Sequence, residues 1–115
     1  MNLFEKIDSY SSLEKGWDSY RADPPNELSR NNAKKFLELC IKLDFIPYRV
    51  CPTAMGGMAM TWKENSEKVF MEFYNTGKIY YLAAHEEDST NDVIVKEVIE
   101  YDKGLQEIME FFQSK

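Results

Sequence analysis

The sequence predicts an α+β fold: two N-terminal helices packed on a four- or five-stranded antiparallel meander sheet, with a C-terminal helix. Three observations carry this. Apolar residues recur at spacings of three and four before Pro47 and again towards the end of the chain. Between those stretches the apolar period falls to two. Short turns built on Gly and Asn separate the alternating runs.

Taken in order, Leu3, Phe4, Ile7 and Tyr10 give a short amphipathic helix over 2–10, and Gly16 marks a turn. Pro24 and Pro25 fix φ and withhold two donors, so the segment around them is extended. Asn26 is the expected cap of a second helix, whose stripe of Ala33, Phe36, Leu37, Cys40, Ile41 and Asp44 runs on until Pro47 stops it. Tyr48–Cys51 reads as a short strand closed by Pro52, and Gly56-Gly57 as a tight turn. Met58, Met60 and Trp62 alternate with Ala59, Thr61 and Lys63 in a one-sided strand. Residues 69–74 are apolar on both faces, which predicts a central strand. Asn75-Thr76-Gly77 is a hairpin turn, and 79–83 is the returning strand. Residues 85–92 read as a polar acidic loop and 93–99 as a short strand. A helix is expected from about Asp102 to Gln113, although Gly104 weakens it by roughly 1 kcal/mol relative to Ala.

A chain of 115 residues predicts one domain spanning 1–115. With 43% apolar and 14% aromatic residues it can fill one core without disulfides or metal. Cys40 and Cys51 lie in apolar elements with no Cys-x-x-Cys, so free thiols are expected. No apolar run reaches the roughly 20 residues that cross a bilayer, and the first residues have neither a basic start nor an apolar stretch. A cytoplasmic protein is the expectation.

Charge divides the chain. Residues 1–84 hold 11 acids and 11 bases, whereas residues 85–115 hold 9 acids against 3 lysines, leaving the whole net charge of −6 there. Such an excess repels phosphates and anionic lipid, so neither direct nucleic-acid binding nor membrane binding is expected. A basic protein surface, or that of a nucleoprotein complex, is the expected partner.

Catalytic constellations are sparse. His85 is the only histidine, no serine lies in a Gly-x-Ser-x-Gly context, and a Cys51–His85 dyad would need the fold to join two distant elements. His85-Glu86-Glu87-Asp88 has neither the glycine nor the ligand spacing of a cation loop. Gly56-Gly57 leads into a strand, where phosphate cradles lead into a helix. No catalytic residue, metal or cofactor is predicted. The residues expected to meet a partner are Trp17, Asp18, Tyr20 and Met55, together with Glu86, Glu87, Asp88, Asp92, Glu97 and Glu100 of the acidic third. A structural clamp is the competing role for the first three: Trp17 and Tyr20 would bury their rings while Asp18 accepts backbone amides.

Gly16-Trp17-Asp18-Ser19-Tyr20-Arg21-Ala22-Asp23-Pro24-Pro25, the helix after it, then Pro52-Thr53-Ala54-Met55-Gly56-Gly57 and Thr61-Trp62, resemble a family of small bacterial and phage proteins. Its members carry a Gly-Trp-Asp-x-Tyr-x-Ala-x-Pro segment, a helix, and a Pro-Thr-x-x-Gly-Gly turn before a strand ending near Trp. The likeness spans about residues 13–82. It implies the same architecture and an association with mobile genetic elements, without implying a particular chemistry. Met55 stands where that pattern has an acidic turn residue, and the acidic third lies outside the likeness. The expected function is therefore a non-enzymatic protein-binding module, an acidic inhibitor or neutraliser encoded on a phage or mobile element (anti-defence or antitoxin-like). Two alternatives are a homodimeric accessory protein, joined through a sheet edge or the Trp17/Tyr20 surface, and a small enzyme using Asp18, Glu72 and tyrosines as acids and bases.

Overall fold

In the computed structural model, which describes residues 1–85 and 93–113, the chain is α+β. Helix α1 spans Leu3–Ser9 and runs into a 3-10 turn at Tyr10–Ser12. Helix α2 spans Glu27–Lys42. Strands β1 (Arg49–Thr53), β2 (Gly57–Glu64), β3 (Glu67–Tyr74), β4 (Ile79–His85) and β5 (Ile94–Glu97) follow, and helix α3 (Tyr101–Gln113) ends the order. The five strands form one antiparallel sheet in chain order, with β3 at its centre. The two-sided apolar pattern of 69–74 is explained by that position.

The expected pair of N-terminal helices is placed differently. Only α1 sits at the N-terminus, while α2 lies in the middle stretch 27–42, beyond a bent segment that contains Gly16 at φ +86° and the two prolines. Helix α2 stops at Lys42, five residues before Pro47, because Asp44 enters the left-handed region at φ 54°. The late strand is also shorter than expected, ending at Glu97.

Local chemistry accounts for the ends. Asn2 accepts the Glu5 amide at 2.8 Å and Glu5 reaches back to the Asn2 amide at 3.4 Å, a capping box for α1. Asn26 accepts the Ser29 amide at 2.9 Å at the start of α2. Gly104 weakens α3 locally, yet a Cβ there would stand 2.6 Å from Val98 Cγ1. The missing side chain lets the buried Val98 pack against the helix.

One sheet face builds the core. Val50, Met58, Met60, Trp62, Val69, Met71, Phe73, Ile79, Tyr81 and Ala83 meet Ile7, Phe36, Leu37, Cys40, Leu105, Ile108 and Phe112 from the helices. Phe36 is the hub, with ring centroids 5.7–6.1 Å from Trp62, Phe73 and Tyr101. Trp62 also stacks on Phe45 at 5.9 Å and donates its indole N–H to the Phe45 carbonyl at 3.1 Å.

Burial has a measurable pH signature. Desolvation pushes the Cys40 thiol from 9.0 up to about 12 and the Tyr10 phenol from 10.0 up to about 12. Tyr81 rises to about 12 through burial first and its hydrogen bond to Glu107 second. Tyr74 rises to about 12, chiefly through hydrogen bonding to Glu72. Each folded value exceeds the unfolded one, so the fold favours the protonated group. That stability is complete below about pH 9 and is lost as pH climbs through 12. The urea midpoint should accordingly fall steadily above pH 9, and absorbance titration should show at least three of the seven tyrosines ionising only near pH 12. A midpoint flat to pH 11.5 would contradict these placements.

Candidate functional site

The two motif segments meet at one end of the sheet, and Asn75 joins them. In the β3–β4 turn, Asn75 Oδ1 accepts the Asn26 amide and the Ser29 hydroxyl, each at 2.9 Å. Its Nδ2 donates to the Pro24 carbonyl at 3.0 Å, and its amide donates to the Gly56 carbonyl at 2.9 Å. The Asn26 side chain returns a bond to the Asn75 carbonyl at 3.0 Å. One residue thus pins the proline segment and the start of α2 through its side chain and the Gly-Gly turn through its backbone amide. Read from the sequence alone, Asn75 was only a turn former.

Within this junction the predicted contact residues divide. Asp18 Oδ1 accepts the amides of Tyr20 at 3.0 Å and Ala22 at 3.3 Å, as a clamp should. Trp17 is half-buried, with its indole N–H 3.5 Å from the Asp23 carbonyl. Tyr20 does not bury its ring: it is 84% exposed, next to Ser19 in the left-handed region at φ 70°. Met55, at the β1–β2 turn, is 73% exposed. Trp17 and Asp18 therefore have structural work to do, and Tyr20 and Met55 project free side chains.

The acidic third is less uniform than its sequence. Glu97 and Glu100 are exposed. Glu107 is engaged internally, accepting the Tyr81 hydroxyl at 2.8 Å and lying 3.7 Å from Lys96 Nζ. Asp102 and Glu110 line a groove shared with Lys42 of α2. Among the described residues, the exposed acids that share the β5 side are Glu97 and Glu100. Glu86, Glu87, Asp88 and Asp92 lie outside the described residues.

The sheet's other face is the surface that sequence reasoning missed. In register across it run Arg49, Thr61, Phe70, Leu82 and Val95, and beside them Cys51, Ala59, Glu72, Tyr80 and Glu97. Phe70, Tyr74, Tyr80 and Leu82 are half-buried there. With Glu72 and Val95 they line a cavity of about 190 Å³. Tyr74 and Tyr80 meet edge to face at 5.9 Å, and Lys68 Nζ lies 4.7 Å above the Phe70 ring. Glu72 Oε2 is buried and, among the described residues, has no hydrogen-bond partner. The signal was available in part: a strand apolar on both faces, in a fold with too few helices for two layers of cover, places apolar side chains on the face away from the helices, where Ala59 and Thr61 are buried and Phe70, Tyr74, Tyr80 and Leu82 half-buried.

Among the described residues, Asp18 and Glu72 do not share a cavity. Asp18 is held by backbone amides and does not line the cavity that holds Glu72. Cys51 and His85 sit on β1 and β4, three strand spacings or roughly 14 Å apart across the strands, and Cys51 lies in register with Tyr80, five residues along β4 from His85. Both cysteines are free thiols. Among the described residues no group of three His, Cys, Asp or Glu side chains is placed to hold a metal ion, and no helix is long and apolar enough to cross a membrane.

Compared with protein-family profiles, with curated proteins and with solved structures, the chain matches none.

Proposed function

We propose that this chain is a non-enzymatic protein-binding module, an acidic inhibitor or neutraliser of the kind phages and mobile elements carry, which docks on a basic surface of its partner. The observation that supports this reading most is the character of β5 and the turn after it. Val95 is 60% and Ile99 78% exposed, and both stand beside the exposed Glu97 and Glu100. Apolar area supplies affinity at such a patch, and the carboxylates supply attraction and orientation toward a cationic partner. The opposite sheet edge is poorly suited to docking, since Pro52 removes a donor from β1 and α1 packs beside it. Tyr20 and Met55 offer a second, smaller contact at the motif junction.

The test reverses the charges. Glu97→Lys with Glu100→Lys should leave the fold intact, since both side chains are exposed, and should weaken capture of a basic partner by at least about tenfold at low salt. Equal capture by both proteins would remove β5 from the interface.

A homodimer is the second reading, favoured by the same strand. Among the described residues β5 pairs only with β4, so its outer edge is open, and the exposed Ile94 and Val95 could zip against a second copy. Light scattering after size exclusion decides it: a strict monomer at high concentration excludes the dimer.

A further inference from the structure

We infer that the cavity on the open sheet face is a binding site for a single arginine side chain supplied by the partner. This rests on the reading of the chain as a binder of basic proteins, and it assigns that binding a second, specific contact.

Glu72 is the starting point. It occupies the central strand, flanked in register by Ala59 on one side and Tyr80 on the other. A buried carboxylate oxygen with no donor is costly, and natural structures rarely keep one without a use. The Tyr74 phenol is pushed up to about 12, chiefly by hydrogen bonding toward the same side chain, and among the described residues nothing donates to Oε2. A cationic donor answers that oxygen with both charge and hydrogen bond.

The walls suit such a cation. Phe70, Tyr74 and Tyr80 surround the carboxylate with ring faces and edges, and the Tyr74 and Tyr80 rings stand at 85° to each other. Ring faces attract cations, most strongly where water is partly excluded. The surface already displays this preference in Lys68, whose ammonium lies over Phe70. A volume of about 190 Å³ accommodates one planar head group with its methylene stem but not a folded segment. Guanidinium suits the site better than ammonium, because it stacks flat on aromatic rings while its fork donates sideways to a carboxylate. Oε2 lies beneath the surface, so binding requires one of the half-buried tyrosine rings to swing aside. Bound arginine should therefore alter the tyrosine environment directly.

The experiment is an NMR titration of the whole protein with N-acetyl-arginine methylamide. N-acetyl-lysine methylamide and N-acetyl-citrulline methylamide serve as comparators, the last matching arginine in shape without its charge. Arginine should perturb the amides and rings of Phe70, Glu72, Tyr74 and Tyr80 with a Kd of about 1 mM. Lysine should bind several-fold more weakly, and citrulline should leave these signals unmoved. Glu72→Gln should weaken the arginine response by at least about tenfold. Tyr80→Phe, which keeps the half-buried ring and its packing on Tyr74, should retain the arginine response, and Tyr80→Ala, with its fold checked by the dispersion of the amide spectrum, should weaken it comparably to the glutamine variant. Shifts of equal size with citrulline, or lysine binding as tightly as arginine, would overturn the assignment. The two readings fail separately. Loss of arginine binding with charge-sensitive partner capture intact removes the cage alone, whereas arginine binding that persists while the β5 charge reversal changes nothing removes the acidic docking edge alone.

Discussion

Gly57→Ala should lower the free energy of unfolding by about 4 kcal/mol, which on a domain this size moves the thermal midpoint down by about 15 °C. Two causes add. Gly57 opens β2 at φ +150°, a conformation that side chains rarely adopt and that costs about 1–3 kcal/mol to hold. A Cβ there would also stand 2.1 Å from the carbonyl oxygen of Phe73 and 3.0 Å from Tyr74 Cα. Those are backbone atoms of the central strand, so the clash is relieved only by separating β2 from β3 at the hairpin end, in the manner of an overpacked core. Gly56→Ala is the internal control. Its φ of +82° is unfavourable too, yet its Cβ would meet only the Asn75 side chain at 3.5 Å, an ordinary contact. It should cost about 1 kcal/mol. Urea denaturation of the two variants checks the ranking; equal losses would mean that backbone conformation, and not the close approach, decides this turn.

Asn75→Ala should cost about 3 kcal/mol. It removes the acceptor for the Asn26 amide and the Ser29 hydroxyl and the donor to the Pro24 carbonyl. Ser29 is fully buried, so its hydroxyl would keep only the Asn26 carbonyl as partner. Each lost bond is worth about 1 kcal/mol, and more where the partner stays dry. Asn75→Asp keeps the oxygen that receives two of these bonds and loses the amide that gives the third, so its cost should be about half. Hydrogen exchange offers a finer check. The Asn26 and Ser29 amides should exchange faster in the alanine variant, while the β3 amides near Met71 stay protected. Uniform acceleration across the sheet would contradict a local junction.

Much of the architecture was legible because period and punctuation agree in this chain. Register puts Met58, Met60 and Trp62 on one face and Ala59, Thr61 and Lys63 on the other, as strict alternation requires, yet Ala59 and Thr61 are buried as well, so the strand is not one-sided as expected. Asn26 and Gly77 sit where capping and turn chemistry place them. The end of α2 was misread because Asp44 continues the helical stripe; its left-handed backbone depends on how Phe45 is drawn back onto Trp62, a long-range contact.

The site was less legible, for a physical reason. Tyr20, Met55, Glu97 and Glu100 are recognisable as polar or conspicuous side chains near turns, and their exposure follows from local position. The cavity around Glu72 depends on register. Phe70, Leu82 and Val95 come from three strands and become one surface only when pairing sets them side by side. Asn75 is similar, since its partners Pro24 and Ser29 are more than forty residues away in the chain. Net charge counted along the chain does not show which carboxylates face outward: Glu107 bonds to Tyr81 and lies near Lys96, whereas Glu97 and Glu100 are exposed.

The most direct measurement compares wild-type protein with the Glu97→Lys, Glu100→Lys variant as baits in bacterial lysate, at low and at moderate salt, with the retained proteins identified and their charge recorded. The account predicts a basic protein held by the wild type at low salt, released as salt rises, and not held by the variant. The same proteins retained by both baits, with no response to salt, would contradict it.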